Sequence, residues 1–228
     1  FIEGEDGVVA AHSNCCDAQR RDMEMLNARV QQTWGKKMTF AKLGNQMAEV
    51  IDNTGIEVYD ENTDSFKVMP MSKGTAMYIY QLWNMKDGRM KLENMGFDDT
   101  SIEQCKAFAG QDLIDLANWM VQEYYPQIKE RLNEKHKEIY HVSMANVENY
   151  VPIMIDPRDQ QKDSKILEGD ASPYTQSLQR VNGSLVNRTV NTKKIDLTRT
   201  AFDVLAEHTQ QNEEWRADAR VRQDIDYI

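Results

Sequence analysis

The sequence is short of the features that mark a disulfide-built domain, a membrane protein or a nucleic-acid binder. It holds three cysteines in 228 residues, two of them adjacent, Cys15 and Cys16, and the third at Cys105. So sparse and odd a set builds no disulfide framework and fits a reducing compartment. Neither a CxxC nor a CxxH spacing accompanies it, so the thiols read as packed or surface groups without metal or redox chemistry. No apolar run reaches the ~20 residues that a membrane-spanning helix requires. Positive charge is in deficit, with 27 Lys and Arg against 37 Asp and Glu and a net charge of -10. An acidic surface repels phosphate backbones, which leaves this piece weak or no direct nucleic-acid binding.

What is present is length, helical periodicity and methionine. A chain of 228 residues can bury a substantial core in one or two domains. Thirteen methionines fall mostly at helical positions, among them Met23, Met47, Met77, Met85, Met90, Met95 and Met120. Methionine fills irregular gaps and adapts to varied neighbours, so these suggest a soft core. Phe1 stands first, and the helical pattern still runs at Ile228 with no Gly or Pro to stop it. The expectation is a piece of a longer polypeptide.

The strongest pattern spans Asp112 to Pro152. Leu113, Leu116, Ala117, Met120, Val121, Tyr124, Ile128, Leu132, Ile139 and Val142 recur at three- and four-residue steps. That spacing lays one apolar stripe along a helix. Glu130, Arg131, Glu134, Lys135, Lys137 and Glu138 are assigned to its other faces. Pro126 lacks an N–H and predicts a kink or break, and Pro152 predicts the helix end.

Upstream, residues 1 to 12 are Gly- and Asp-rich and read as irregular. A helix is expected from Ser13 or Asp17 to Trp34, closed by Gly35. A second stripe runs through Phe40, Leu43, Met47, Val50 and Ile51, ended by the turn signal Asp52-Asn53-Thr54-Gly55. Ile56 to Tyr59 and Phe66 to Val68 alternate and predict one small β-hairpin. Its acidic loop, Asp60 to Ser65, lacks the glycine and terminal glutamate of a calcium loop and reads as a solvated turn. Ser72 is placed as the N-cap of a helix carrying Met77, Tyr78, Tyr80, Leu82 and Trp83. Asp87-Gly88 punctuates it, and Gly96 stops the continuation. Thr100 or Ser101, with Glu103 and Gln104 close behind, signals the next start.

After Pro152 the periodicity fades. Residues 153 to 195 read as a long extended arm or linker with its tip at Gly169 to Pro173, a length that is unusual inside a compact domain. Arg188, Lys193, Lys194 and Arg199 form a local basic contact patch, expected to pair with acidic helices more than with nucleic acid. Asp196 or Thr198 then caps a last helix through Phe202, Leu205, Ala206, His208, Thr209 and Trp215. Neighbouring Glu207 and His208 point about 100° apart on that helix, so they are not an acid–base pair.

The fold expected is mainly α, an elongated helical assembly with a long extended arm and room for one small β-hairpin. Its segments are 1–69, 70–152, the arm 153–195, and a C-terminal helix from 196 to 228. The turn Asn149-Tyr150-Val151-Pro152 is read as a structural hinge, with the Tyr150 ring buried and its hydroxyl bonded. No spacing among the three cysteines and four histidines suits a metal. No convergent nucleophile or phosphate loop appears, so the sites expected are structural: no catalytic residue, no cofactor and no metal.

Three segments resemble the phage large polyvalent proteins, very long phage-encoded polypeptides carried in or with the virion. The first is Met71-Ser72-Lys73-Gly74-Thr75-Ala76-Met77-Tyr78-Ile79-Tyr80, with Gly88-Arg89-Met90 and Met95-Gly96-Phe97. The second runs from Leu113 to Val147-Glu148-Asn149-Tyr150-Val151-Pro152-Ile153, where Val151 replaces the usual Phe of an "NYFP"-like turn. The third joins Asn187-Arg188-Thr189, Ile195-Asp196-Leu197 and Phe202 to His208. Their order and spacing carry the resemblance, over roughly residues 70 to 225; residues 1 to 69 match nothing specific. The resemblance implies a helical, non-catalytic connecting region beside separate enzymatic modules. It also implies packaging in capsid or tail, partners among capsid, portal or tail proteins and the rest of its own polypeptide, and delivery to the host cytoplasm. The alternative it leaves is an accessory module of a virion-packaged polymerase or DNA-modifying enzyme whose active site lies elsewhere. An independent helical enzyme ranks last, because no convergent side chains support it.

Overall fold

In the computed structural model, residues 2–144, 147–156 and 194–226 are described, with side chains described for 13–144, 147–156 and 194–216. The protein is mainly helical with two small two-stranded antiparallel sheets. Helix α1 spans Ile2–Trp34 and α2 Phe40–Met47. Strands β1 (Val50–Ile51), β2 (Glu57–Asp60), β3 (Ser65–Val68) and β4 (Met71–Ser72) follow. Then come α3 (Lys73–Trp83), α4 (Lys86–Glu93), α5 (Asp99–Ala109), α6 (Gln111–Trp119), a π-turn at Met120–Tyr124, α7 (Tyr125–Tyr140) and α8 (Ala201–Asp226).

The core gathers around α3. Ala76, Met77, Tyr78, Ile79 and Leu82 are wholly buried, and their cluster reaches Leu26 and Val30 of α1, Leu116 and Met120 before α7, and Phe202 and Leu205 of α8. Ser72 caps α3 as its sequence predicts: its hydroxyl accepts from the Thr75 N–H at 3.0 Å. The hairpin also forms, with Tyr59 opposite Phe66 and Glu57 opposite Val68.

Several boundaries differ from expectation, each for a local reason. Residues from Ile2 onward are helical, not irregular. The second stripe divides: α2 ends at Met47, and Val50 and Ile51 pair as a strand with Ser72 and Met71. Short β-branched pairs satisfy either period, and only the partner strand decides. Helix α3 stops at Asn84, ahead of Gly88. Gly88 lies inside α4, where an added Cβ would stand 2.3 Å from the Leu82 carbonyl oxygen. Helix α5 is capped by Asp98, with Ser101 as the third residue of its capping box and not the cap. Helix α8 is capped by Thr200, not Asp196 or Thr198: Thr200 Oγ1 accepts the Asp203 N–H, and the Asp203 carboxylate accepts the Thr200 N–H.

The long helix is the largest correction. It does not reach Pro152; the last helical residue is Tyr140, and His141 takes a left-handed conformation with φ 58°. The chain then doubles back over α7, so that the Met144 N–H donates to the Asn133 side-chain oxygen at 2.8 Å. Val142, expected in the buried stripe, is exposed. Pro126 sits in the first turn of α7, directly after the π-turn in which the Tyr125 N–H reaches Met120 O. One widened turn clears the carbonyl that the proline ring would strike, so the chain passes with a π-turn where a break was expected.

Candidate functional site

A strap of backbone, residues 149 to 155, crosses the buried face where α3, α7 and α8 come together. Its main holder is Tyr78, wholly buried on α3. The Tyr78 hydroxyl donates to Pro152 O at 2.8 Å and accepts the Met154 N–H at 3.0 Å. The Val151 side chain is fully buried, and its N–H points at the Met85 sulfur at 3.4 Å. Asn149 has φ 49°, and its amide nitrogen donates to Asn84 O at 3.1 Å. Where the chain re-enters the description, Ile195 pairs antiparallel with Ile155. Asp156 N–H donates to Lys194 O, and Asp196 N–H to Met154 O. The strap and the root of α8 are thereby clipped side by side.

The four expected hinge residues, Asn149, Tyr150, Val151 and Pro152, all lie on this strap. Tyr150 is half-buried, and its hydroxyl stands 3.4 Å from His208 Nε2. Tyr125 meets the Tyr150 ring edge-on at a centroid separation of 6.2 Å. A cavity of about 30 Å³ opens between α7, the doubled-back chain and α8, lined by Ile128, Lys129, Leu132, Val147, Tyr150 and His208 among others. Such a space admits a water molecule or two. The Tyr125 hydroxyl is buried without a hydrogen-bond partner, and burial pushes its pKa well above the ordinary value, helped by Tyr78, Tyr150 and Tyr124 nearby. Burial also lowers the pKa of Lys129. Neighbouring Glu207 faces away, ion-paired with Arg199 at 3.1 Å, so His208 and Glu207 are separated as expected.

Beyond Tyr124 lies a second polar centre, joining α1, α7 and α8. Arg131 donates to the buried Asp22 carboxylate at 2.6 Å and stands 3.8 Å from buried Glu213. Arg216 lies 2.8 Å from the other Glu213 oxygen, off the line of a hydrogen bond. The Tyr124 hydroxyl meets Thr209 Oγ1 at 3.1 Å. Burial drives the Glu213 pKa upward against the pull of Arg216 and Arg131. Asn212, fully buried beside it, has neither amide atom bonded. The sequence places Arg131 on the other faces of its helix, away from the apolar stripe. Its position three residues after Ile128 and seven after Tyr124 places it on the flank of the buried stripe, a signal readable from spacing.

The basic patch is divided. Arg188 and Lys193 lie outside the described residues, as does the tip at Gly169 to Pro173. Lys194 is exposed at the clip, and Arg199 bonds Glu207 and stands 3.7 Å from Asp196. Cys15 and Cys105 are buried and Cys16 exposed, and none of the three is in a disulfide. Burial raises the Cys105 pKa to about 12, so it stays a neutral packed thiol. Among the described residues no three His, Cys, Asp or Glu side chains are grouped to hold a metal ion. No described helix is long and apolar enough to cross a membrane.

Compared with protein families, with curated proteins and with solved structures, the chain matches none.

Proposed function

We propose that this chain is a non-catalytic helical segment of a bacteriophage virion protein, packaged in capsid or tail and carried into the host cell. One observation carries the reading. The three blocks behind the resemblance to large polyvalent proteins lie far apart in the sequence but meet at the strap. Tyr78 of the first block bonds Pro152 and Met154. Tyr150 of the second faces His208 of the third, and Ile155 pairs with Ile195. The residues behind the resemblance therefore act together as one structural joint. The joint's polar groups hold backbone and rings, which suits a connecting module.

The partners in this reading are capsid, portal or tail proteins and the rest of a longer polypeptide. The acidic net charge of -10 supports weak or no contact with nucleic acid. Mass spectrometry of purified virions tests the proposal. Peptides from this chain are expected at a defined copy number inside the particle. Their presence in infected cells but not in virions would overturn it. A catalytic motif in the same reading frame would move the reading to an accessory module of a packaged enzyme.

A further inference from the structure

Helix α1 is held in two different ways along its length. Leu26 and Val30, near its C-terminal end, belong to the main buried cluster. Cys15 and Ala18 are buried too, yet neither joins that cluster, and both are small. Asp22 follows them on the same face, at steps of three and four residues. Every other side chain between Ser13 and Asp22 is exposed or half-buried. Asp22 itself is 2% exposed, and its Oδ1 accepts from Arg131 at 2.6 Å. Its other oxygen has no hydrogen-bond partner among the described residues, nor do Arg131 Nε, Glu213 Oε2 or either amide atom of neighbouring Asn212. Folded interiors ordinarily pair such groups with protein or with water. Burial also raises the Glu213 carboxyl, although Arg216 and Arg131 pull the other way. The seam between α1, α7 and α8 is therefore closed over polar groups that gain hydrogen bonds when water enters.

We propose that the stretch of α1 from Ser13 to Asp22 is a latch, which parts from α7 and α8 as a unit while the core around α3 stays closed. Among the described residues, opening forfeits the packing of two small side chains and one ion pair, and it hydrates the unpaired atoms. Segments with few buried apolar contacts open below the free energy of global unfolding. The ion pair is a weak counterweight, because stripping two charges of water offsets much of their attraction. Leu26 and Val30 keep the rest of α1 in the main cluster, so the pivot lies just beyond Asp22. Opening bares the faces of α7 and α8 that carry Arg131 and Glu213, and it exposes Cys15. The latch is a property of this fold and does not depend on a virion role.

Cys15 reports the opening, because a buried thiol reacts with dithiobis(nitrobenzoate) only when the reagent reaches it. The test uses the full chain carrying Cys16→Ser in a urea series below the unfolding transition, with labelled peptides resolved by mass spectrometry. Cys105, wholly buried in the main cluster, reports opening of the core. Cys15 should react at least about tenfold faster than Cys105. Its rate should hardly change with urea while that of Cys105 climbs steeply, since urea dependence scales with the surface exposed. Asp22→Asn removes one partner of the buried pair and should raise the Cys15 rate about tenfold. Ile79→Val, a cut in the α3 core, should speed Cys105 severalfold and leave Cys15 unmoved. If Asp22→Asn fails to fold, the urea series on Cys16→Ser decides alone. Equal rates with equal urea dependence would mean one cooperative opening and would overturn the latch. So would a Cys15 rate equal to that of the unfolded chain, a Cys15 rate unmoved in folded Asp22→Asn, or a Cys15 rate raised by Ile79→Val.

Discussion

At the scale of single residues, the Tyr78 hydroxyl has the heaviest duty in the molecule. It is the only side-chain oxygen bonded to two backbone atoms of the strap among the described residues, Pro152 O and Met154 N. Replacing it with phenylalanine keeps the ring's packing and leaves the buried Pro152 carbonyl and the part-buried Met154 N–H without this partner. An unsatisfied buried polar group costs ~1–3 kcal/mol, and a chain of this size loses about 2–4 °C of melting temperature per kcal/mol. Tyr78→Phe should therefore melt several degrees lower, and the Met154 amide should exchange faster than amides inside α3. Unchanged exchange at Met154 would show that the strap is held by its side chains alone, through Val151 and Pro152.

Close backbone approaches fix some elements of this fold to one another. Gly96 is the clearest case. It has φ 90°, and an added Cβ would stand 2.0 Å from the Tyr59 carbonyl oxygen. Through this glycine the turn after α4 accepts the Tyr59 N–H and anchors the ribbon to the helical body. Gly35 has a similar φ of 88° with nothing within 4 Å of its would-be Cβ. Alanine at either position pays the left-handed strain of ~1–2 kcal/mol. Only Gly96→Ala should also break the anchoring bond and displace the ribbon, adding a further ~1–3 kcal/mol. Urea unfolding of the two variants separates these terms. Equal losses would mean that the ribbon can shift freely without disturbing α4 and α5.

For the whole molecule, the buried Glu213 carboxyl between α1, α7 and α8 contributes a dependence of stability on pH. Burial raises the Glu213 carboxyl above its ordinary value of 4.5, so the folded protein holds that proton more tightly than the unfolded chain. The contribution is fully present below the ordinary value and is lost as pH rises through the folded value. Asp60 acts in the opposite sense: Lys67 pulls its pKa from 3.8 down to about 2. Its contribution is present above 3.8 and lost as pH falls toward 2. The two windows do not overlap, so they can be read separately. Melting temperatures taken upward from pH 4.5 should show a decline that Glu213→Gln flattens. A slope that persists in the variant would assign the dependence to another group.

The sequence by itself determined the class of the fold and several of its local devices. Apolar spacing of three and four specifies helices wherever the stripe is long, as from Leu113 to Leu132. Ser72 announces its cap, and alternation around an acidic turn announces the hairpin. These are short-range effects, set by neighbours within one or two turns of backbone. Tertiary structure alone decided where the long helix stops, because Val142 continues its rhythm while the chain actually folds back over α7. It also decided that Val50 and Ile51 form a strand of their own small sheet, since their partners Ser72 and Met71 stand about twenty residues further along the chain. The strap was legible as the turn Asn149 to Pro152, but its holder was not: Tyr78 lies 74 positions from Pro152. The same holds for the Arg131 contact with Asp22, 109 positions away. A hydrogen bond or ion pair between distant residues leaves no periodicity in either segment, so only the folded chain can bring such partners together.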